Sequence, residues 1–166
     1  MKYRQGFLLY IAAFFLKPFL QDLIPAFGNN VNLLLCLTVV LTFLYDETLP
    51  GILCGFVFGL LHDIVFGIYI GPGVTALVVT GIAVLVLREF VNIENFFNAL
   101  ITMLFSTWLY TSVYWGIYFV LGSPYSYGYA MKTVPWQLLF NCLVAAVLYL
   151  PLIKRVKKHR RDRYFK

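Results

Sequence analysis

From Pro50 to Gly73 the chain reads PGILCGFVFGLLHDIVFGIYIGPG, an apolar run in which Gly51, Gly55, Gly59, Asp63, Gly67 and Gly71 recur every four residues. On an α-helix, residues four apart stack one turn above another along a slowly winding stripe. A stripe of small residues lets a second helix backbone come close, and in lipid such packing replaces the hydrophobic drive that associates helices in water. Asp63 lies on the same stripe, deep in the run, where a carboxylate is expensive and turns toward protein instead of lipid. The six positions are therefore expected to form a seam for helix packing or partner binding, with one polar group set into it.

The rest of the chain has the character of a bundle around that seam. Of its 166 residues 61% are hydrophobic and only 12% are charged, and the mean hydropathy is +0.83. A soluble domain of this length needs more charge to cover its surface, so the composition defines an integral membrane protein. A helix needs about 20 mostly apolar residues to cross ~30 Å of hydrocarbon. On that measure six spans are predicted, at roughly 6–27, 30–45, 50–69, 73–91, 96–121 and 134–153. The second is short and the fifth long enough to tilt strongly. The expected fold is all-α: one six-helix transmembrane domain over 1–153, then a basic tail over 154–166, with no separate soluble domain.

Charge sets the orientation. The formal charge is +6, but eight of the thirteen Lys and Arg residues fall in the last thirteen positions. The basic balance thus reports the tail and not nucleic-acid binding. With six spans, Lys2, Arg4, Arg88 and the tail share one side, while the other keeps Lys132. This asymmetry places both termini in the cytoplasm. Tyr125, Tyr127, Tyr129 and Trp136 fall near the outer boundary, where amphipathic rings favour the headgroup layer. In the tail, Lys154, Arg155, Lys157, Lys158, Arg160, Arg161 and Arg163 are expected to meet anionic lipid or a cytoplasmic partner.

Polar residues inside the spans are the remaining candidates. Asp63 has two readings: relaying a proton or binding a ligand, or capping and bonding a neighbouring helix; no second carboxylate is placed to form a dyad with it. His62 points about 100° away round the helix and is expected to be a lone interfacial histidine. Lys17 and Gln21, one turn apart beside Pro18, Asp22 and Pro25, belong either to a polar pocket under the outer surface or to a kinked helix whose lysine snorkels. Tyr110, Tyr114 and Tyr118 at four-residue steps, with Trp108 and Trp115, form either a stacking surface for a flat ligand or an aromatic packing ridge. Gln137 and Asn141 in the last span are placed to hydrogen-bond across helices.

Cys36, Cys54 and Cys142 stand singly in apolar runs and are expected to be small packing residues. His62 and His159 do not make a metal cluster, so no metal or cofactor is expected. The chain carries no Walker motif, nucleophile elbow, HExxH or facing aspartate pair. No catalytic residue is assigned, and the chain is not expected to be an enzyme.

Three stretches resemble the MreD family of bacterial rod shape-determining membrane proteins. They are NNVNLLLCLTVVLTFLY, GILCGFVFGLLHDIVFGIYIG and WQLLFNCLVAAVLYLPLIKRVKK. In the second, Gly55, Gly59, Leu60, Leu61, Asp63 and Ile64 stand at the positions of the family's G-x-x-x-G-L-L-x-D-I, followed by a glycine turn. In the third, Asn141 stands at the family's asparagine and Pro151 precedes the basic end. The resemblance implies a non-catalytic membrane component of the cell-elongation machinery in the bacterial inner membrane. It implies MreC as the first partner, with MreB, RodA and a class B penicillin-binding protein as further ones, and leaves self-association open. It also implies a six-helix fold similar to the substrate-binding subunits of ECF-type vitamin transporters. A transporter subunit holding a small molecule near Lys17, Asp63 and the tyrosine stripe is the alternative function.

Overall fold

A computed structural model describes residues 3–45 and 49–164. Among them every regular element is helical: α1 (Tyr3–Leu23), α2 (Pro25–Gly28), α3 (Leu33–Leu44), α4 (Leu49–Phe66), α5 (Pro72–Phe90), α6 (Phe96–Val120), α7 (Tyr127–Met131) and α8 (Val134–Tyr164).

The centre of the bundle is α3. Its sequence, LLLCLTVVLTFL, has no charge and no polar face, and all twelve residues are buried. It packs against α1, α4, α5, α6 and α8. A helix apolar all round is stable only where neighbours or lipid surround it completely. The hydroxyl of Thr38 donates to the Leu34 carbonyl at 2.8 Å, which keeps that polar atom satisfied inside the core. At 1.5 Å per residue α3 is only about 18 Å long.

Among the described residues four helical stretches are long and apolar enough to cross a membrane: Gln5–Leu23, Pro72–Phe90, Phe96–Val120 and Tyr127–Val156. The apolar helices Leu33–Leu44 and Gly51–Phe66 are shorter. Several expected boundaries move. The first predicted span breaks at Ile24, where the backbone leaves the helical region and Pro25 opens α2. Gly28 then lies against the backbone of Leu20 and Gln21 with no room for a side chain, so α2 folds back on the end of α1. The helix of the last predicted span continues beyond 153: it runs through Pro151 to Tyr164, so the basic residues 154–163 lie on an extension of α8.

The stripe of glycines also needs correction. Helix α4 stops at Phe66, and Gly67 and Gly71 lie in the turn before α5. The helical seam therefore comprises Gly51, Gly55, Gly59 and Asp63. Gly71 adopts φ 125°, a conformation that favours glycine.

Candidate functional site

Along α4 the seam faces two helices in turn. A Cβ on Gly51 would collide with Thr42 of α3, and one on Gly55 would come within 2.8 Å of Thr38 Oγ1, one turn away on the same helix. One turn on, a Cβ on Gly59 would meet Leu77 and the backbone of Val74 on α5. The glycines thus let α4 lie against α3 at one end and α5 at the other. Tyr10 of α1 fastens the first contact: its hydroxyl donates to the Gly51 carbonyl at 2.9 Å and lies 2.9 Å from Thr38 Oγ1.

The seam ends on Asp63, which is 4% exposed. Its Oδ2 accepts from the backbone N–H groups of Gly71, Gly73 and Val74 at 3.0, 2.9 and 3.1 Å. These donors belong to the start of α5, where the first N–H groups have no partner within the helix. The N-cap residue, Gly71, has no side chain to offer, and Pro72 has no N–H. Asp63 therefore performs from α4 the task that an N-cap side chain performs from its own helix. Its negative charge also complements the helix dipole. Gly73 completes the arrangement, because a Cβ there would run into Asp63 Oδ1.

Lys17 and His62 adjoin this cap. Lys17 Nζ lies 2.8 Å from His62 Nε2. When Lys17 is an ammonium group it only donates, so Nε2 then accepts and the ring hydrogen sits on Nδ1. Nδ1 is 4.0 Å from Asp63 Oδ1. His62 is thus no lone interfacial histidine: it stands between the cation of α1 and the carboxylate of α4. The small cavity lined by Asn32, Leu34, Gly59, His62, Gly73, Leu77 and Tyr110 has room for about one water.

A second junction centres on Asn141 of α8, which is 1% exposed. Its Oδ1 accepts from the Asn32 N–H at 2.8 Å, and its Nδ2 donates to Thr107 Oγ1 of α6 at 3.2 Å. The Asn32 side chain in turn caps α3 by accepting from Leu35 N at 3.1 Å. One turn before Asn141, Gln137 Oε1 accepts from Thr111 of α6 at 3.1 Å. Substituting Asn141 with leucine should cost about 1–3 kcal/mol, because the Asn32 N–H loses its acceptor inside the bundle. Thermal unfolding in detergent measures this, and a variant as stable as the parent would remove the junction from the account.

At the other end of α3, Arg88 of α5 donates to the carbonyls of Thr42 (3.0 Å) and Tyr45. These are terminal acceptors that the helix leaves open. In the sequence Arg88 registered only as a charge near a span end. Gly73 registered only as part of a turn; the Gly-Pro-Gly beside an intramembrane aspartate was the available signal.

Of the tyrosine stripe, Tyr110 lines the small cavity beside His62, and the stripe leads away from it. Tyr110, Tyr114 and Tyr118 form a ridge, with ring centroids 5.9 Å and then 4.8 Å apart, which Tyr69 extends at 5.7 Å. Trp108 and Trp115 do not join it: Trp108 packs beside Phe105, and Trp115 beside Phe119 and Tyr127. Tyr125, Tyr129 and Trp136 are exposed. Gln21 contributes backbone to the Gly28 contact. Cys36 is buried, Cys54 and Cys142 half-buried, and all three are free thiols. Among the described residues no group of His, Cys, Asp and Glu is arranged to hold a metal ion.

These features define a polytopic helical membrane protein in which buried polar side chains join one helix to another. The family model of the rod shape-determining protein MreD matches residues 2–159, which takes in both the Asp63 and the Asn141 junctions. The chain belongs to that family, and so to the membrane proteins that determine bacterial rod shape. Neither a curated protein nor a solved structure matches it.

Proposed function

We propose that this protein is a non-catalytic scaffold of the rod-shape machinery in the bacterial cytoplasmic membrane, acting on peptidoglycan synthesis through its partners. MreC is the first of these; MreB, RodA and a class B penicillin-binding protein are the others. In this reading all six apolar helices cross the membrane, the short α3 and α4 where the bilayer thins around the bundle. Both termini face the cytoplasm, on the side that gathers Lys2, Arg4, Arg88 and the basic end of α8.

The observation that carries the proposal is the engagement of Asp63. Its carboxylate Oδ2 is already bound by three backbone amides of α5. An intramembrane acid so engaged positions helices and is not poised for chemistry. The same fact weighs against the transporter reading, which needs Lys17 and Asp63 for a ligand, whereas Lys17 is bonded to His62 and the cavity beside them takes about one water.

The test is gentle purification from native membranes. A bitopic coiled-coil partner with wall-synthesis enzymes is the expected company; ATPase subunits with a transmembrane coupling protein would overturn the proposal. In the same experiment Gly55→Leu, whose side chain has no space beside Thr38, should lose partners or cell-shape complementation. Unchanged assembly and shape would count against the seam.

A further inference from the structure

The basic end of α8 has a shape that composition did not reveal. Helix α8 is 31 residues long, continuous from Val134 to Tyr164. Leu152, Ile153 and Val156 still pack on the bundle. With the hydrocarbon edge near Ile153, a rise of 1.5 Å per residue puts Arg160 about 10 Å and Arg163 about 15 Å further along the axis. The headgroup layer is only about 5–8 Å thick, and charges are screened over about 8 Å at physiological salt. Ordinary helix tilt changes these heights little.

A basic helix can lie flat on a leaflet when one of its faces is apolar and buries into the interface. This one has no such face. At about 100° per residue, the register positions of Lys154, Arg155, Lys157, Lys158, Arg160, Arg161 and Arg163 go all the way round the axis. Lysine predominates in the turn nearest the membrane, which carries Lys154, Arg155, Lys157 and Lys158, whereas the basic residues of the outer turns are Arg160, Arg161 and Arg163, with one acid, Asp162, among them. Lysine is a hydrated point charge, whereas the guanidinium fork matches a carboxylate in two-point contact.

We propose that the outer turns of α8 are a docking post for a carboxylate-rich surface of a cytoplasmic protein, held clear of the lipid headgroups. This rests on the cytoplasmic orientation proposed above. It separates the first turn, at headgroup level, from Arg160, Arg161 and Arg163, which reach past it.

Two measurements on the full chain test it. A spin label at Asp162→Cys, in nanodiscs containing anionic lipid, should be as accessible to a water-soluble relaxant as in neutral nanodiscs. A label that moves to headgroup depth only with anionic lipid would overturn the proposal in favour of membrane binding. In native membranes, a photocrosslinker at Tyr164 should trap a polypeptide at a segment rich in Asp and Glu. The yield should fall at least tenfold in the R160Q/R161Q/R163Q variant. Crosslinks that survive that variant, that map to a segment without carboxylates, or that reach only lipid or nucleic acid would overturn it. Thiol labelling of Tyr164→Cys in intact cells separates the two failures. A tail reached from outside overturns the orientation together with this proposal, whereas a cytoplasmic tail failing the other tests overturns this proposal alone.

Discussion

Asp63→Leu should be among the most destabilising single substitutions in this protein, costing about 3–6 kcal/mol. The estimate comes from three N–H groups at the start of α5 losing their shared acceptor, at about 1–3 kcal/mol for each buried donor left unsatisfied and with incomplete additivity. Water does not easily reach a site where Asp63 is 4% exposed and the neighbouring cavity is so small. Asp63→Asn should cost much less, about 1–2 kcal/mol, because the amide oxygen still accepts while the charge that complements the helix end is gone. Unfolding by heat or by denaturing detergent, read in the same micelle for all three proteins, gives the order parent, Asn, Leu. Equal losses for Asn and Leu would mean that charge and not acceptance holds the junction; no loss for Leu would mean that α5 is held elsewhere.

The second large effect is geometric. Gly59→Ala puts a methyl group against the backbone of Val74, and Gly51→Ala puts one against the backbone and side chain of Thr42. Backbone does not yield as a flexible side chain does, so each should cost about 1–3 kcal/mol through overpacking. Gly116 of α6 has open space where its Cβ would stand. There the same substitution should gain up to about 1 kcal/mol from helix propensity. Opposite signs at chemically identical replacements distinguish the seam from a general preference for glycine. A uniform response in a thermal-unfolding series would refute the close approach of α4 to its neighbours.

The comparison of Gly59 with Gly71 also shows how far the sequence could be followed. A four-residue period reveals which positions share a face if the chain is helical, but it carries no information on where the helix stops. The stripe reads unbroken through Gly67 and Gly71, and the physical end of α4 is set by the Gly-rich, Pro-containing turn that Asp63 gathers against α5. Six apolar segments and their polar punctuation were legible because helices surrounded by lipid or by other helices leave a simple compositional record. Asn141 stood out as an amide in an apolar run, yet its partners Asn32 and Thr107 did not. They lie 109 and 34 residues away and are chosen by how helices dock. Lys17 and His62 are separated by 45 residues and escaped notice as a pair for the same reason. The extension of α8 past 153 was hidden because a run of charges reads as tail or as helix with equal ease.

The short central helix has a consequence for biogenesis. At about 18 Å, α3 falls well short of ~30 Å of hydrocarbon, so as an isolated segment it is a poor candidate for a stable crossing. Its surroundings include α8, which leaves the ribosome after the other helices packed on α3 and whose Asn141 binds the backbone at the head of α3. Maturation should therefore wait on α8. Until it arrives, the side of α3 that α8 covers is open to lipid or an insertase, and nascent chains stopped before α8 should be the ones that membrane proteases clear.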